Sequence, residues 1–513
     1  MQKTKSSRKF SIPVPVWSLV LFIAFLCLFS ARWFVTTYGR IGFDSILFTL
    51  SASLDGVQSE LITSYLSWAF LPTLISTLLV SVILFYIPRR KYYVNLSKNR
   101  RFRIYPLPRW LSGLTAGVLS LSMIVFAAFD VELTNHIWGM INSGHLFEYQ
   151  YVDPDEVELT FPEEKRNLVY ITLESMEISY LSEELGGGQE SNLIPELYDL
   201  ALKNTNFSHN DSVGGFHQPS GASWTIGAMV AQTAGIPLKT PEGLDDWQNG
   251  YGKDGVFLPG ATSLTNILDE AGYHTSLMVG SDVNFGGRKT YYATHGTDAI
   301  YDVYTARKDG IIPSNYFVWW GMEDLHLFEY AKQELTEIAA GEDPFAFTML
   351  TVDTHHIGGY QCEFCTDEYE ETYEQSISCS SSQVLEFVQW IQAQPWYEDT
   401  TIVITGDHCS MDKGYFSRNV DEDYQRMVYN CIINPAEESD NTKNRQYCAM
   451  DLFPTTLSAL GVEIEGDRLG LGTDLFSDTP TLSEEMGFER FNSEVAKSSD
   501  FYKETFYTAK DPS

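Results

Sequence analysis

Acidic and imidazole side chains follow several short apolar runs of this chain, at positions where they could bind a metal ion. They are Glu174, Asp353, His355, His356, Asp407 and His408. Carboxylate oxygens and imidazole nitrogens are ligands for a hard or borderline divalent cation. If the apolar runs are neighbouring strands of one sheet, these groups can converge on one cation. Each of them alone is weak evidence, because a lone acid at a strand end is usually a helix cap or a surface group.

A candidate nucleophile follows a loop rich in Gly, Ser and Pro. The segment HQPSGASWTIGAMVAQTAGIPL occupies 217–238, and its helical pattern begins at Thr225. The amino terminus of a helix favours negative charge, and a neighbouring cation stabilises an alkoxide further. The Thr225 hydroxyl is therefore a candidate nucleophile. Ser220 and Ser223 are alternative nucleophiles, and a purely structural role for Thr225 as a helix cap is the other interpretation.

Alternating apolar and amphipathic segments predict the elements that position these groups. The apolar runs are 167–173, 275–279, 345–352, 401–405 and 429–433, and the amphipathic segments are 261–271, 315–339 and 381–394. Continuous apolar strands separated by helices predict an α/β fold whose mostly parallel sheet is covered on both faces. Ligands of such sheets bind beyond the carboxyl ends of the strands, where the acidic and imidazole groups stand.

Three apolar stretches near the amino terminus are long enough to cross a bilayer. They are Val14–Val35, Tyr65–Ile87 and Trp110–Phe129. Basic residues cluster before the first stretch and between the second and third, whereas 41–63 has no Lys or Arg. Because cytoplasmic loops are enriched in Lys and Arg, the pattern predicts that everything after Phe129 lies outside the cytoplasm.

Charge and cysteine content fit this division of the chain. After residue 110 the chain carries 20 basic and 65 acidic residues, which argues against nucleic acid as a partner. Six of the seven cysteines also follow the third stretch, in a compartment where disulfides persist. They are Cys362, Cys365, Cys379, Cys409, Cys431 and Cys448. Their pairing is open, and Cys362-x-x-Cys365 alternatively suggests a zinc knuckle, although no second such motif accompanies it.

Three motifs, taken in order, resemble one family. They are LES at 173–175, SGASWTIGAMV at 220–230 and ITGDH at 404–408. Together they are similar to the alkaline phosphatase superfamily and, within it, to the lipoteichoic acid synthase and phosphoglycerol transferase group. The similarity extends to GDRLGLGTDLFS at 466–477. The resemblance implies a sulfatase-like α/β domain with a mostly parallel central sheet flanked by helices, after amino-terminal transmembrane helices.

The resemblance also implies the roles of individual residues. The metal set is Glu174, Thr225, Asp407 and His408, with Thr225 as the catalytic nucleophile, and the substrate-binding set is Arg288, His355, Asp282 and His356. One divalent cation is expected, Mn²⁺, with Zn²⁺ or Mg²⁺ as alternatives. Two departures concern the head-group contacts: a further histidine of the synthases, near Gly280, is absent, and the loop before Thr225 is one residue longer. His217 is a further candidate, whereas His274 and His295 are expected to be structural or surface residues.

The implied function is a metal-dependent transfer of glycerol phosphate. Phosphatidylglycerol is the expected lipid donor, and a cell-envelope glycan or polyglycerol phosphate is the expected acceptor. The alternatives are a phosphoethanolamine transferase, a two-metal phosphodiesterase or sulfatase of the same fold, and an inactive membrane sensor. The sulfatase alternative lacks its motif, because no Cys or Ser is followed by x-Pro-x-Arg.

The predicted organisation places the chain in the bacterial cytoplasmic membrane as a multi-pass protein with an extracytoplasmic catalytic domain. A membrane anchor with three transmembrane helices covers 1–130, and a juxtamembrane connector covers 131–165. The catalytic domain covers 166–480, and a carboxyl-terminal tail covers 481–513.

Overall fold

A computed structural model of the chain describes residues 13–38, 43, 46, 59–87, 92–97, 100–104, 109–239 and 255–509. The chain divides into two compact units. The first lies within Met1–Arg40 and Val57–Thr134, and the second within Ile41–Gly56 and Asn135–Ser513. Residues 1–12, 88–91 and most of 41–58, on which the predicted orientation in the membrane depends, lie outside the described residues. That orientation therefore stays a prediction.

In the described part of the first unit, three helices are long and apolar enough to cross a membrane. They are α1 (Val14–Tyr38), α2 (Leu61–Tyr86) and α3 (Arg109–Asp130). The three predicted spans are thus confirmed as helices of membrane-spanning length. Large apolar side chains such as Leu78 and Val118 are exposed on them. An antiparallel pair, Tyr92–Ser97 and Arg100–Ile104, lies between α2 and α3 along the chain.

A seven-stranded sheet forms the centre of the second unit. Its strands are β1 (Asn167–Leu173), β2 (Gly215–Phe216), β3 (His274–Val279), β4 (Ala299–Tyr301), β5 (Phe345–Leu350), β6 (Thr400–Gly406) and β7 (Val428–Ile433). Their order across the sheet is β2-β7-β6-β1-β5-β3-β4. The pairs from β6 to β4 are parallel, as predicted, whereas β7 runs antiparallel to β6 and to β2. The segment 407–427 explains the difference, because it returns to the sheet at the end where β6 leaves it.

Strand β1 shows why its sequence is apolar without alternation. Leu168 and Tyr170 pack in the core on one face of the sheet, whereas Val169, Ile171 and Leu173 pack in the core on the other face. Successive side chains of a strand point to opposite faces, so a strand covered on both faces must be apolar at every position. The continuous run at 167–173 therefore predicted the layered architecture correctly.

Helices cover both faces of this sheet. Those after residue 132 are α4 (Leu133–Ile141), α5 (Leu146–Gln150), α6 (Pro195–Lys203), α7 (Thr225–Ala234), α8 (Leu264–Glu270), α9 (Arg288–Thr294), α10 (Val303–Asp309), α11 (Asp324–Ile338), α12 (Thr372–Gln392), α13 (Lys413–Asn419), α14 (Leu452–Ala459), α15 (Leu482–Met486), α16 (Phe488–Val495) and α17 (Asp500–Phe506). The last three occupy the predicted tail, and their side chains Phe491, Tyr502 and Phe506 are fully buried in the core.

One predicted helix begins later than its sequence pattern suggested. Residues 315–323 are not helical, and α11 starts at Asp324. Trp319 has a φ of 52°, in the left-handed region, and the backbone groups of Val318 and Gly321 hydrogen-bond to each other. A left-handed residue ends helical geometry, so the apolar spacing of this segment reflects a tight turn. The prediction of a helix from residue 315 is wrong for its first nine positions.

Truncation of a central strand tests the two-faced core. Ile171→Ala should lower the free energy of unfolding by about 2–5 kcal/mol, because the side chain is fully buried in the middle strand. Urea titration of the full chain in detergent, followed by tryptophan fluorescence, measures this. Leu202→Ala, at an exposed position of α6, is the matched control and should change the value little. Equal effects of both substitutions would contradict the assignment of Ile171 to the core.

Candidate active site

Two parallel neighbours, β1 and β6, place Glu174 and Asp407 side by side. Each residue directly follows the last residue of its strand, and Leu173 pairs with Gly406 in the register. Ser175 adopts a left-handed turn with a φ of 55°, and its N–H donates to Asp407 Oδ1 at 2.7 Å. The Ser175 hydroxyl donates to Glu174 Oε1 at 2.8 Å. This turn therefore holds both carboxylates at the carboxyl edge of the sheet.

His408 completes a compact group with these two acids. One ligand atom from each of Glu174, Asp407 and His408 lies within 4.8 Å of the other two, and all three residues are buried. His408 Nε2 is 3.3 Å from Asp407 Oδ2 and 3.7 Å from Glu174 Oε1. His408 Nδ1 lies 2.9 Å from the Cys409 carbonyl, which can only accept a hydrogen bond. The proton of a neutral ring therefore sits on Nδ1, and Nε2 presents its lone pair to the group.

Burial and mutual charge shift the protonation of this group in different directions. Burial raises the pKa of Asp407 to about 7, and the neighbouring Glu174 charge adds to the shift. Burial opposes ionisation of Glu174 as well, but the charges of His355 and His408 bring its pKa below the ordinary value. Burial opposes the charged form of His408, yet the two carboxylates raise its pKa overall. The acids thus sit where a positive charge between them would relieve their repulsion.

The donor set fits a divalent cation. Asp407 Oδ2 is buried and has no hydrogen-bond partner among the described residues, which is costly for a carboxylate unless an ion satisfies it. Two carboxylates and an imidazole with its Nε2 lone pair directed inward are ligands suited to a hard or borderline ion. Glu174, Asp407 and His408 could therefore hold one such ion.

Thr225 lies at the edge of the same group. Its Oγ1 is 3.4 Å from Glu174 Oε2 and 3.5 Å from His408 Nε2. Thr225 is the first residue of α7, and the cap position belongs to Trp224. The alternative in which Thr225 serves only as the helix cap is therefore not what the structure adopts. Among the described residues, Ser220 and Ser223 make no hydrogen bond to the group.

Helix α7 is held against the sheet by one polar side chain. Gln232 donates from Nε2 to the Gly406 carbonyl at 2.9 Å, and its Oε1 accepts from the Tyr170 hydroxyl at 3.0 Å. At the other end of the helix, a Cβ at Gly227 would lie 2.6 Å from the Gly221 carbonyl oxygen. Glycine at 227 thus allows the preceding loop to fold tightly over the first turn, which fixes Thr225 beside Glu174.

Arg288 supplies fixed positive charge near the group. It is buried at the start of α9, and its Nη2 donates to Ser281 Oγ at 3.0 Å and to the Asp282 carbonyl at 2.8 Å. Burial lowers the pKa of Arg288 to about 10, while the charges of Glu174, Asp282 and Asp407 oppose that shift. The guanidinium consequently remains charged at neutral pH.

The Asp282 side chain is engaged locally. Its Oδ1 accepts from the N–H and the side-chain amide of Asn284, each at 2.9 Å, and its Oδ2 accepts from the Tyr304 hydroxyl at 3.3 Å. Asp282 thus orders the turn before Arg288, and it is the Asp282 carbonyl that holds the guanidinium.

His355 and His356 are stacked beside the group. Their ring centroids are 4.4 Å apart, and the Trp320 ring lies 4.4 Å from His355. Burial lowers the pKa of His355, although Glu174 partly offsets the shift. Burial lowers the pKa of His356 more strongly.

The contact of Trp320 with His355 was not predicted from the sequence, because Trp320 lay in the segment assigned to a helix. The adjacent pair Trp319-Trp320 was the only signal for it.

The remaining histidine candidates have other contacts. His217 stacks on Phe488 with ring centroids 3.9 Å apart, and its Nε2 lies 2.8 Å from Gln446 Oε1. His295 is buried with ring nitrogens near Asn266 Oδ1 and the Phe257 carbonyl. His274 is more exposed and pairs with Asp298.

The cysteine pattern is resolved in part. Cys365 and Cys379 form a disulfide, and Cys362 Sγ lies 3.6 Å from Cys365 Sγ and 4.0 Å from Cys379 Sγ. The disulfide partner of Cys365 is therefore a cysteine on α12, and the spacing of the Cys-x-x-Cys motif could not have indicated this pairing. Cys409, Cys431 and Cys448 are free thiols.

Residues 166–462 match the sulfatase family. Among curated proteins, the chain is 30% identical over 339 residues to phosphoglycerol transferase I of Escherichia coli (strain 55989 / EAEC), which covers 64% of this chain and 41% of that protein. It is 29% identical over 373 residues to phosphoglycerol transferase I of Salmonella choleraesuis (strain SC-B67), covering 71% of this chain and 46% of that protein. The chain thus spans less than half the length of these relatives.

Solved structures with a similar fold include an alkaline phosphatase superfamily protein from Vibrio parahaemolyticus. Its TM-score is 0.48 at 20% identity, covering 65% of this chain and 76% of that chain. The lipoteichoic acid synthase LtaP from Listeria monocytogenes has a TM-score of 0.47 at 19% identity, covering 63% of this chain and 79% of that chain.

Removal of one carboxylate tests the metal-binding capacity of the group. Asp407→Asn should weaken divalent metal binding at least roughly tenfold, because it removes a negative ligand. The fold should survive, since the asparagine oxygen can accept the same two backbone hydrogen bonds and its amide can donate to His408 Nε2. Metal content by mass spectrometry and thermal unfolding with and without a chelator measure both effects.

Asp451→Asn is the matched control for this experiment. Asp451 is equally buried, and burial raises its pKa to about 7 as well, but it lies outside the group and accepts from the N–H groups of Cys448 and Thr473. The control should retain the metal of the wild type. Undiminished metal binding by Asp407→Asn would exclude this carboxylate as a ligand.

Proposed function

We propose, from the premise that the chain belongs to the sulfatase family, that it is a metal-dependent phosphoglycerol transferase acting on a membrane lipid. The observation that carries the proposal is the Thr225 hydroxyl, 3.4 Å from Glu174 and 3.5 Å from His408 at the start of a helix. A hydroxyl in that position is suited to covalent catalysis. The names of the curated relatives support the choice of glycerol phosphate as the transferred group.

The reaction we propose is a double displacement. The Thr225 hydroxyl loses its proton and its oxygen attacks the phosphorus of phosphatidylglycerol. The bond from phosphorus to the diacylglycerol oxygen breaks, and that oxygen takes a proton as diacylglycerol leaves. An acceptor hydroxyl then attacks the same phosphorus and gives up its proton, the bond to Thr225 Oγ1 breaks, and that oxygen takes up a proton, which restores the Thr225 hydroxyl. Both phosphoryl transfers exchange one phosphate ester for another, so no further reactant is needed.

A divalent cation completes the proposed site. Glu174, Thr225, Asp407 and His408 would hold it, and when bound it lowers the pKa of a hydroxyl and neutralises phosphoryl charge. Mn²⁺ is the ion we favour, with Zn²⁺ and Mg²⁺ as alternatives. The positive end of the α7 dipole adds to the stabilisation of negative charge at Thr225.

Arg288 and His355 are proposed to bind the phosphate and its glycerol. The Arg288 guanidinium is held by three backbone or hydroxyl oxygens, so its charge is oriented before substrate arrives. His355 is neutral at pH 7, because burial lowers its pKa. Its Nδ1 lies 2.5 Å from the His356 carbonyl, which can only accept a hydrogen bond, so the ring proton sits on Nδ1 and Nε2 is left to accept from a glycerol hydroxyl. His356 supports His355 through ring stacking, and Asp282 supports Arg288 through its carbonyl.

The local contacts of Asp282 favour glycerol over ethanolamine. An ammonium head group would need a carboxylate or an aromatic face. Both oxygens of the Asp282 carboxylate are engaged by Asn284 and Tyr304. The Asp282 carboxylate therefore gives little support to the alternative, a phosphoethanolamine transferase.

A second candidate function is a two-metal phosphodiesterase, and one observation favours it. In the part of the chain that the structure describes, both oxygens of the Asp353 carboxylate are buried without a hydrogen-bond partner, as for a ligand of a second ion. Asp353 nevertheless does not belong to the group formed by Glu174, Asp407 and His408. Metal content separates the candidates, because the phosphodiesterase requires two ions per chain and the transferase one.

The membrane helices support the choice of a lipid donor. The described chain has three helices of membrane-spanning length, so we propose a multi-pass protein of the bacterial cytoplasmic membrane. Its catalytic unit would face outward, and diacylglycerol could stay in the bilayer as the leaving group. The proposed acceptor is a hydroxyl of a cell-envelope glycan or of polyglycerol phosphate.

Substitution of the nucleophile tests the covalent step. Thr225→Ala should lower kcat by on the order of 10³ or more, because the attacking oxygen is lost, and the thermal unfolding temperature should change little. Thr225→Ser should retain part of the activity. Ser223→Ala is the control and should behave as the wild type with a chromogenic phosphodiester. Normal turnover by Thr225→Ala would move the nucleophile to another hydroxyl.

Labelled lipids test the donor. The purified full chain, given phosphatidylglycerol labelled in its head group, should release diacylglycerol and carry the label on Thr225 after an acid quench. Peptide mass spectrometry locates the label, and a chelator should prevent its formation. Phosphatidylethanolamine is the parallel sample. Diacylglycerol formed only from phosphatidylethanolamine would overturn the donor assignment and leave the threonine mechanism in place.

A further inference from the structure

Helix α4, Leu133–Ile141, presents large apolar side chains that the described residues leave exposed. Ile137 is 45% exposed, Trp138 70% and Ile141 73%. Positions 137 and 141 are one turn apart, and positions 138 and 141 are three residues apart, about 60° around the helix, so the three side chains share one face. The nearby α5 carries a further exposed aromatic residue, Tyr149, which is 76% exposed.

The opposite face of α4 is fixed to the catalytic unit. Gly139 lies about 160° around the helix from both Ile137 and Ile141, and a Cβ there would lie 3.0 Å from the Ala496 carbonyl oxygen. The Ser498 N–H donates to the Gly139 carbonyl at 3.0 Å, and the Gly144 N–H donates to the Ser498 carbonyl at 2.8 Å. Glycine therefore allows close backbone contact on one side, and the apolar face points away from residues 496–498.

Helix α5 is attached in the same way. Phe147 is buried against Tyr502, with ring centroids 5.3 Å apart, whereas Tyr149 on the same helix is exposed. The exposed aromatic and aliphatic side chains of 137–149 thus belong to a segment that is held to the core by buried Leu146 and Phe147 and by the backbone of Gly139 and Gly144. These side chains are exposed because the opposite side of the segment is the one that contacts the catalytic unit.

The connection to α3 limits what can cover this face. Helix α3 ends at Asp130 and α4 begins at Leu133, so three Cα steps of about 3.8 Å keep the start of α4 within about 11 Å of the end of α3. Helix α4 has nine residues and is about 13 Å long. If α3 spans the bilayer, the whole of α4 is within reach of the lipid head groups.

We propose that the face formed by Ile137, Trp138 and Ile141 binds the surface of the lipid bilayer that α3 enters. Tryptophan is enriched where hydrocarbon meets head groups, and a short amphipathic helix binds there by burying its apolar face. A partner protein fits less well, because a stable interface buries about 800 Å² on each side and three side chains of one short helix supply only part of that. The inference depends on exposure and connectivity and is independent of the proposed chemistry.

Membrane contact at α4 would restrain the catalytic unit as well as the anchor. Helix α4 is joined to residues 496–498 by backbone hydrogen bonds. If its apolar face binds lipid, the residues that contact its opposite face are therefore positioned as well. The face on α4 supplies a second, lateral point of contact.

Spin labels on the full chain in lipid nanodiscs test the proposal. Trp138→Cys and Ile141→Cys are labelled in a Cys27→Ser background, since Cys27 is an exposed free thiol. Leu202→Cys is the matched control, because Leu202 is an exposed apolar residue of another helix. The labelled parent protein without an added cysteine gives the background. Electron paramagnetic resonance then compares accessibility to oxygen, which concentrates in lipid, with accessibility to a water-soluble nickel chelate.

Labels at 138 and 141 should show an oxygen-to-nickel accessibility ratio severalfold higher than the label at 202. Ratios equal to that at 202 would overturn the proposal, because the face would then be in water. Low accessibility to both reagents would also overturn it, because protein would then cover the face.

A measurement without labels guards against misfolding of the cysteine variants. Trp138→Phe should remove a component of the tryptophan fluorescence that lipids brominated near the head group quench in the wild type. An unchanged quenched fraction would contradict the proposal. Hydrolysis of a soluble phosphodiester by the same variant reports on the catalytic site separately.

Discussion

The burial of two carboxylates and one imidazole at a single sheet edge is the constraint on which the site depends. At an effective dielectric constant of about 20, two like charges about 4 Å apart repel by on the order of 4 kcal/mol. Glu174 and Asp407 meet that situation with opposite pKa shifts, so that Glu174 holds the charge more readily than Asp407. A cation removes the conflict, because it stabilises both ionised forms at once.

The fold around this edge keeps the three groups from relaxing apart. Glu174 and Asp407 follow two strands that are neighbours in register, and the Ser175 N–H and hydroxyl bind one carboxylate each. Gln232 ties α7 to the strands on which these acids stand. The cost of burying the charges is thus offset by hydrogen bonds and packing outside the group. Such preorganisation allows electrostatic stabilisation without movement during a reaction.

Much of this arrangement could be predicted from the sequence, because strand ends are local features. An apolar run fixes the strand, and the residue after it must lie at the edge of the sheet, which is why Glu174 and Asp407 were found. Thr225 was found because a change from loop composition to helical spacing marks a helix start.

The contacts of Asp282 were not predictable, since they depend on Tyr304 from a later helix. Trp320 was missed because helical spacing and a tight turn with a left-handed residue give the same apolar pattern over a few positions. Cys379 as the partner of Cys365 required the packing of α12.

Because the chain after residue 110 is strongly acidic, the binding of an anionic group depends on where Arg288 and the amino terminus of α7 lie. An anionic lipid head group approaching 20 basic and 65 acidic residues meets long-range repulsion, which salt screens beyond about 10 Å. Binding must therefore come from charges within a few ångströms. Arg288 is held by Ser281, Asp282 and Phe285, and Thr225 opens a ten-residue helix whose positive end faces the group. Because these contributions act only at short range, they favour a phosphate that has already entered the site. In the proposed reaction the neutral ring of His355 would then discriminate by hydrogen bonding, so that charge would account for binding of the phosphate and hydrogen bonds for the choice of its head group.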